Sequence, residues 1–178
     1  SSFSVKDSAL PDRWDKNVGA YFITSRSIGF PANDELLAGS WNSTIFHCLI
    51  TDTIRCSYCK WSKILKQSFN GNARIDNILY DASDNIWIGS TMGLRGVKAD
   101  SIFFSPDSTK VGKDVYERLS SEIFDILETK DRLWVATQLG LVFLEKTGTW
   151  HAFVHPKGPG RKRCTSLCYD YKGRVWTG

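Results

Sequence analysis

Histidine is scarce in this chain, with three residues in 178, at positions 47, 151 and 155. That scarcity leaves little room for a Ser-His-Asp grouping or a histidine-built metal triad, and no spacing suggests either one. We therefore expect no catalytic residues, no metal and no cofactor. Long apolar runs are also absent. None approaches the roughly 18 residues of a membrane span, and the opening "SSFSVKDSAL" has neither a basic nor an apolar leader segment. Charge of one sign is weak, because 23 basic residues against 19 acidic ones leave only +4. The one dense cluster, Lys157 with Arg161, Lys162 and Arg163, reads as a solvated basic loop, so no nucleic-acid partner is expected.

Five cysteines are an odd number, which excludes a framework made only of disulfides. Cys56 and Cys59 form a C-x-x-C in "IRCSYCKWSKIL", a stretch that reads as strand. Residues three apart on a strand face opposite sides, so the two sulfurs are poorly placed to chelate one metal, even with His47 and Cys48 nearby. A buried small hydrophobe or a local disulfide is the expected role. Cys164 and Cys168, four apart on another strand, lie roughly 13 Å from each other, too far to bond.

Tryptophan, by contrast, is plentiful, with seven residues, several of them in register. "DNIWIGSTMGL" at Asp84–Leu94 recurs as "DRLWVATQLGL" at Asp131–Leu141 and as "GRVWTG" at the end of the chain, with an eroded copy "DELLAGSWNST" at Asp34–Thr44. Leu37, Trp87, Trp134 and Trp176 then stand 50, 47 and 42 residues apart. Upstream, Ile75/Ile78, Ile123/Ile126 and Cys164/Leu167 occupy matching places, and the intervening turn is one residue shorter in the middle copy. A period of 40 to 50 residues indicates propeller blades or helical arrays.

The local pattern decides for propeller blades. Short alternating segments are separated by polar turns such as "DASDN" and "DYKGR", in which Asp81, Asp84, Asp131 and Asp170 are expected to hydrogen-bond backbone amides. "IWIGS" reads as a buried second strand, and Gly93 or Gly140 can take positive φ before the third. "SIFFSPD" and "WHAFVHP" read as outer fourth strands; only "DVYERLSSEIFDI" has a helical period, and its second half belongs to the repeat. The fold class is all-β, with β-propeller blades of four antiparallel strands in about four repeats. Approximate boundaries are 1–20 for N-terminal strands, then 21–70, 71–118, 119–160 and a partial blade at 161–178. Each tryptophan is expected to wedge between its own blade and the next, beside a small residue two positions on.

"DNIWIGSTMGL" with the isoleucine-rich strand before it resembles the two-component regulator propeller repeat. The likeness covers Ile75–Leu94 and Ile123–Leu141 well, Leu167–Gly178 incompletely and Ile28–Thr44 weakly. Such blades build the extracytoplasmic sensor part of membrane-anchored histidine kinases, including hybrid systems that detect polysaccharide breakdown products. The resemblance implies a periplasmic or extracellular ligand sensor in a two-component system, usually with more blades than this chain supplies. It favours a piece of a larger ring over a small ring closed by "SFSV" and "NVGAYF" at the N-terminus.

Propellers bind ligands where the turns between second and third strands meet the blade linkers. Those positions hold Trp41, Asn42, Met92 and Gln138, with Arg74 and Arg163 at the starts of equivalent strands. Trp41 with Asn42 reads either as a sugar platform or, for the indole, as a displaced wedge. Arg74 and Arg163 suit an anionic ligand, or are plain linker charges. The expected partner is an oligosaccharide or small polar ligand. A protein-interaction scaffold, with a partner protein or dimer, is the alternative, and a propeller lyase or hydrolase is a third.

Overall fold

The computed structural model describes residues 28–29, 35–40, 43–50, 54–58, 62–69, 73–154 and 162–178. The first sheet contains β1 (Ile28–Gly29), β2 (Glu35–Gly39), β3 (Ile45–Ile50) and β4 (Ile54–Tyr58). After helix α1 (Ser62–Ser68), the second contains β5 (Ile75–Tyr80), β6 (Ile86–Ser90), β7 (Gly93–Lys98) and β8 (Ser101–Phe104). Two short helices, α2 (Ser108–Val111) and α3 (Lys113–Leu119), lead to the third sheet: β9 (Ile123–Glu128), β10 (Arg132–Thr137), β11 (Gly140–Glu145) and β12 (Trp150–Ala152). The last sheet is the pair β13 (Leu167–Tyr169) and β14 (Val175–Thr177). Within each sheet, strands pair antiparallel in sequence order, and successive sheets pack face to face as propeller blades.

The wedge arrangement follows from burial. Trp87 is 2% exposed and packs with Leu133, Val135 and Trp150 of the third blade. Trp134, 8% exposed, packs toward Leu167 and Val175 of the fourth. Leu37 holds the equivalent place against Ile75, Ile78 and Ile88. Leucine fills less space than an indole, and Leu65 and Phe69 from the α1 region complete that cluster. Gly89, two residues past Trp87, is required by sterics: a Cβ there would stand 2.7 Å from Ile123 Cγ2 in the next blade. Gly93 and Gly140 take φ of 101° and 113°, as the turn reading required.

Helix α1 corrects the sequence reading of "IRCSYCKWSKIL" as continuous strand. The strand ends at Tyr58, and Leu65 and Phe69, four apart, are buried while Lys63, Ile64, Lys66 and Gln67 face outward. That is helical spacing, hidden because the preceding strand is equally apolar. Buried Arg95 of β7 then fastens the helix end, donating to Ser68 O at 2.8 Å and lying 4.5 Å over the Phe69 ring. Cys48 is disulfide-bonded, and its Cα partner across the β3–β4 pair is Cys56; the Cys59 position lies outside the described residues. Cys164 and Cys168 are free thiols.

The first turns of the second, third and fourth blades are each held by a side chain. Asp81 accepts from the amides of Ser83 and Asn85 and, at 2.7 Å, from the indole N–H of Trp87. Asp170 does the same for Lys172, Arg174 and Trp176. The wedge tryptophan is thereby tied to its own blade before it meets the next. Burial alone would push the Asp81 carboxyl up, but the donors from Asn85, Trp87 and Ser83 outweigh it and hold the group below its ordinary value. The third blade breaks the pattern. Its shorter turn puts Thr129 in the aspartate's place, where the hydroxyl donates to Arg132 O, and Arg132 stacks 5.6 Å over Trp134.

Candidate functional site at the linker end of the blades

One feature of the innermost strands recurs at the end where chain enters the second, third and fourth blades. Ile75 pairs with Ser90 and Asn77 with Gly89, so Asp76 is an extra, bulged residue. Phe124 is bulged in the same way between Ile123 and Asp125. In the fourth blade Gly178 O accepts from both Thr165 N and Ser166 N, the same two-to-one arrangement. A bulge bends the strand and re-aims the side chain beside it. Two residues before each bulge stand Arg74, Glu122 and Arg163, so one backbone device presents two side chains per blade.

The linkers are tied to the second turn of their own blade. Thr91 N donates to Arg74 O at 3.0 Å, and Gln138 N to Glu122 O at 2.8 Å. Hydroxyls shape those turns: Ser90 Oγ donates to Gly93 O and accepts from Met92 N, and Thr137 Oγ1 does likewise with Gly140 and Leu139. With the turn closed from inside, the Met92 and Gln138 side chains are left exposed. Across the blades, Asn77 Nδ2 donates to Asp125 Oδ1, and Asp125 Oδ2 accepts from Leu167 N at 2.7 Å.

The two arginines differ. Arg74 Nε donates to Asp76 Oδ1 at 2.6 Å and its Nη2 to Glu122 Oε1 at 2.7 Å, bridging two blades. The bond to Asp76 leads in raising its already high pKa, against the opposing cost of burial. Its charge is thus committed to protein. Arg163 is exposed, lies 4.4 Å over the Phe124 ring and has no carboxylate within ion-pair distance among the described residues. The structure thus places Arg74, Met92, Gln138 and Arg163 at the same end of the blades, whereas Trp41 and Asn42 lie outside the described residues. Glu122 and Phe124, absent from the sequence-based site, join it there. Their signal was the alignment of the strand starts, where Glu122 occupies the position of Arg74 and Arg163. Elsewhere His47 pairs with Glu35 at 3.1 Å, and His151 stacks on Phe143 on the outer strand. Among the described residues no cluster of potential metal ligands forms, and no helix is long and apolar enough to cross a membrane.

No family model and no curated protein matches this chain. Solved structures do match. The extracellular domain of BT3049, assigned to a hybrid two-component system of B. thetaiotaomicron, aligns with a TM-score of 0.56 and 21% identity over 83% of this chain and 18% of that one. The extracellular domain of BT4673 from the same organism, likewise assigned to a hybrid two-component system, gives 0.58 and 16% over 85% and 19%. Streptogramin B lyase gives 0.57 and 11% over 89% and 51%. The chain spans less than a fifth of the two signalling domains, and at such identities the likeness is one of fold: this chain shares the blade architecture of those proteins.

Proposed function

We propose that this chain is a ligand-sensing propeller region of an extracytoplasmic signalling receptor in a two-component system, binding an oligosaccharide or small polar ligand at the linker end of its blades. The observation that carries the reading is Arg163. It is a solvent-facing guanidinium braced on an aromatic ring, with Gln138 on a neighbouring turn of the same end and its own charge uncommitted. A preorganised cation of this kind suits a hydroxyl-rich ligand bearing an anionic group. Trp41 and Asn42 belong to the proposed site as an aromatic face and a paired donor and acceptor.

The likeness in fold to extracellular domains of two-component proteins supports the sensing role, and the disulfide at Cys48 supports a periplasmic or extracellular location. Binding would shift how neighbouring blades pack, because the Arg74 bridge and the Asn77–Asp125–Leu167 chain join them at this end. Isothermal titration against a panel of neutral and acidic oligosaccharides tests the proposal. Arg163→Ala and Trp41→Ala should each weaken binding about tenfold while leaving the thermal transition in place. If no glycan binds, or both variants bind like the parent, the assignment fails.

A further inference from the structure

At the opposite end of the blades, the shortened turn of the third blade has a structural counterpart. The first turns of the second and fourth blades span Asp81–Asn85 and Asp170–Arg174, each closed on its aspartate, whereas the third runs only from Thr129 to Arg132. A cavity of about 720 Å³ is present where these three turns converge, bordered by Ser83, Thr129 and Gly173. The missing residue withdraws the middle turn and leaves this space between its neighbours.

Its lining is chemically distinctive. Lys130, Lys146 and Lys172 reach it from three different turns, all exposed, and none has a carboxylate within ion-pair distance among the described residues. Glu128, one of two acids in the lining, turns its carboxylate to the Ala82 amide at 3.1 and 3.3 Å. Asp131 is the other. Tyr169, more than half exposed, offers a ring on the inner side. Lysines bordering a concave space attract an anion, and Lys172, whose Nζ lies 5.5 Å over the Tyr171 ring, stays exposed; an aromatic face beside them suits a ring.

We propose that this cavity is a second ligand site, distinct from the linker end and independent of the function assigned there. It takes a small cyclic ligand carrying two or more anionic groups, with the ring against Tyr169 and the anions toward Lys130, Lys146 and Lys172. Carboxylate- and phosphate-bearing rings share that chemistry.

The test titrates the full chain by calorimetry with benzene-1,3,5-tricarboxylate, glucose 1,6-bisphosphate and neutral glucose. Saturable binding of either polyanion, weakened by added salt, with glucose silent, supports the site, and the tighter of the two identifies its anion. Lys130→Ser, Lys146→Ser and Lys172→Ser should each weaken binding about threefold or more, and the triple variant should abolish it, while Lys113→Ser at the far end of the molecule changes nothing. Thr129→Asp with one serine inserted after Lys130 rebuilds the longer turn; binding should then vanish while the circular dichroism spectrum and thermal transition persist. Silence from both polyanions, undiminished binding in the triple lysine variant, or glucose binding as well as the polyanions overturns the proposal.

Discussion

Trp87 and Trp176 occupy the same place in the same repeat, yet one is 2% exposed and the other 54%. Their local chemistry is nearly identical. Each indole donates to the aspartate six residues before it, and each sits on the second strand of its blade. The difference is the neighbour. Trp87 faces the third blade, whereas nothing among the described residues covers the outer face of β14. The motif therefore encodes the turn and the aim of the indole, and the adjoining blade supplies the burial. A wedge residue is half of an interaction.

The largest test of this comparison is truncation of each indole. Trp87→Ala should cost about 3–5 kcal/mol in urea denaturation, through lost apolar contact and the cavity left between two blades. Trp176→Ala should stay within about 1 kcal/mol, since little burial is lost. Equal costs would show that the turn, not the interface, carries the tryptophan's contribution. Next in size is Gly89→Ala. Its new methyl meets Ile123 at 2.7 Å, so destabilisation of about 1–3 kcal/mol is expected. Combined with Ile123→Ala, the loss should fall short of the sum of the single changes, which a double-mutant cycle would measure.

The smallest effect concerns the aspartates. The folded-state pKa of Asp81 lies below its ordinary 3.8, so its contribution is complete well above that value and is lost as pH falls through the folded pKa. Asp81→Asn should cost about 1 kcal/mol at neutral pH, discounted for its partial exposure, and should flatten the acid limb of the stability profile. Asp170 shifts in the same direction, but the indole it holds, Trp176, is 54% exposed and covers no neighbouring blade among the described residues, so Asp170→Asn should change that limb less. Acid unfolding followed by tryptophan fluorescence separates the two.

The blade architecture was legible because each blade repeats one hydrophobic pattern, and three imperfect copies corroborate one another. Two of the four turn aspartates, Asp81 and Asp170, bond backbone amides as the repeat led one to expect, whereas Asp84 instead takes a positive φ of 60° and in the third blade Thr129, not Asp131, holds the turn. Helix α1 was not, because Leu65 and Phe69 lie outside the repeat and follow a strand of similar apolarity. The candidate site was legible only in part. Arg74 and Arg163 stand at equivalent positions in the sequence, yet one is bound into a bridge and the other is free to act. What separates them is the identity of the neighbouring blade's residues, Glu122 for Arg74 and Phe124 for Arg163. Such cross-blade pairs lie some 40 to 50 residues apart and leave no trace in local pattern. Glu122 and Phe124 entered the site only once the blades were set side by side.

The bulge at the start of the innermost strand in the second, third and fourth blades has one more consequence. It is made by main-chain groups alone, with one carbonyl taking two N–H donors in the fourth blade, so no particular side chain is needed to form it. Aspartate, phenylalanine and threonine all stand there in successive blades. Evolution can therefore rewrite the chemistry at that address blade by blade, leaving the surrounding scaffold undisturbed, much as type is reset in a fixed frame.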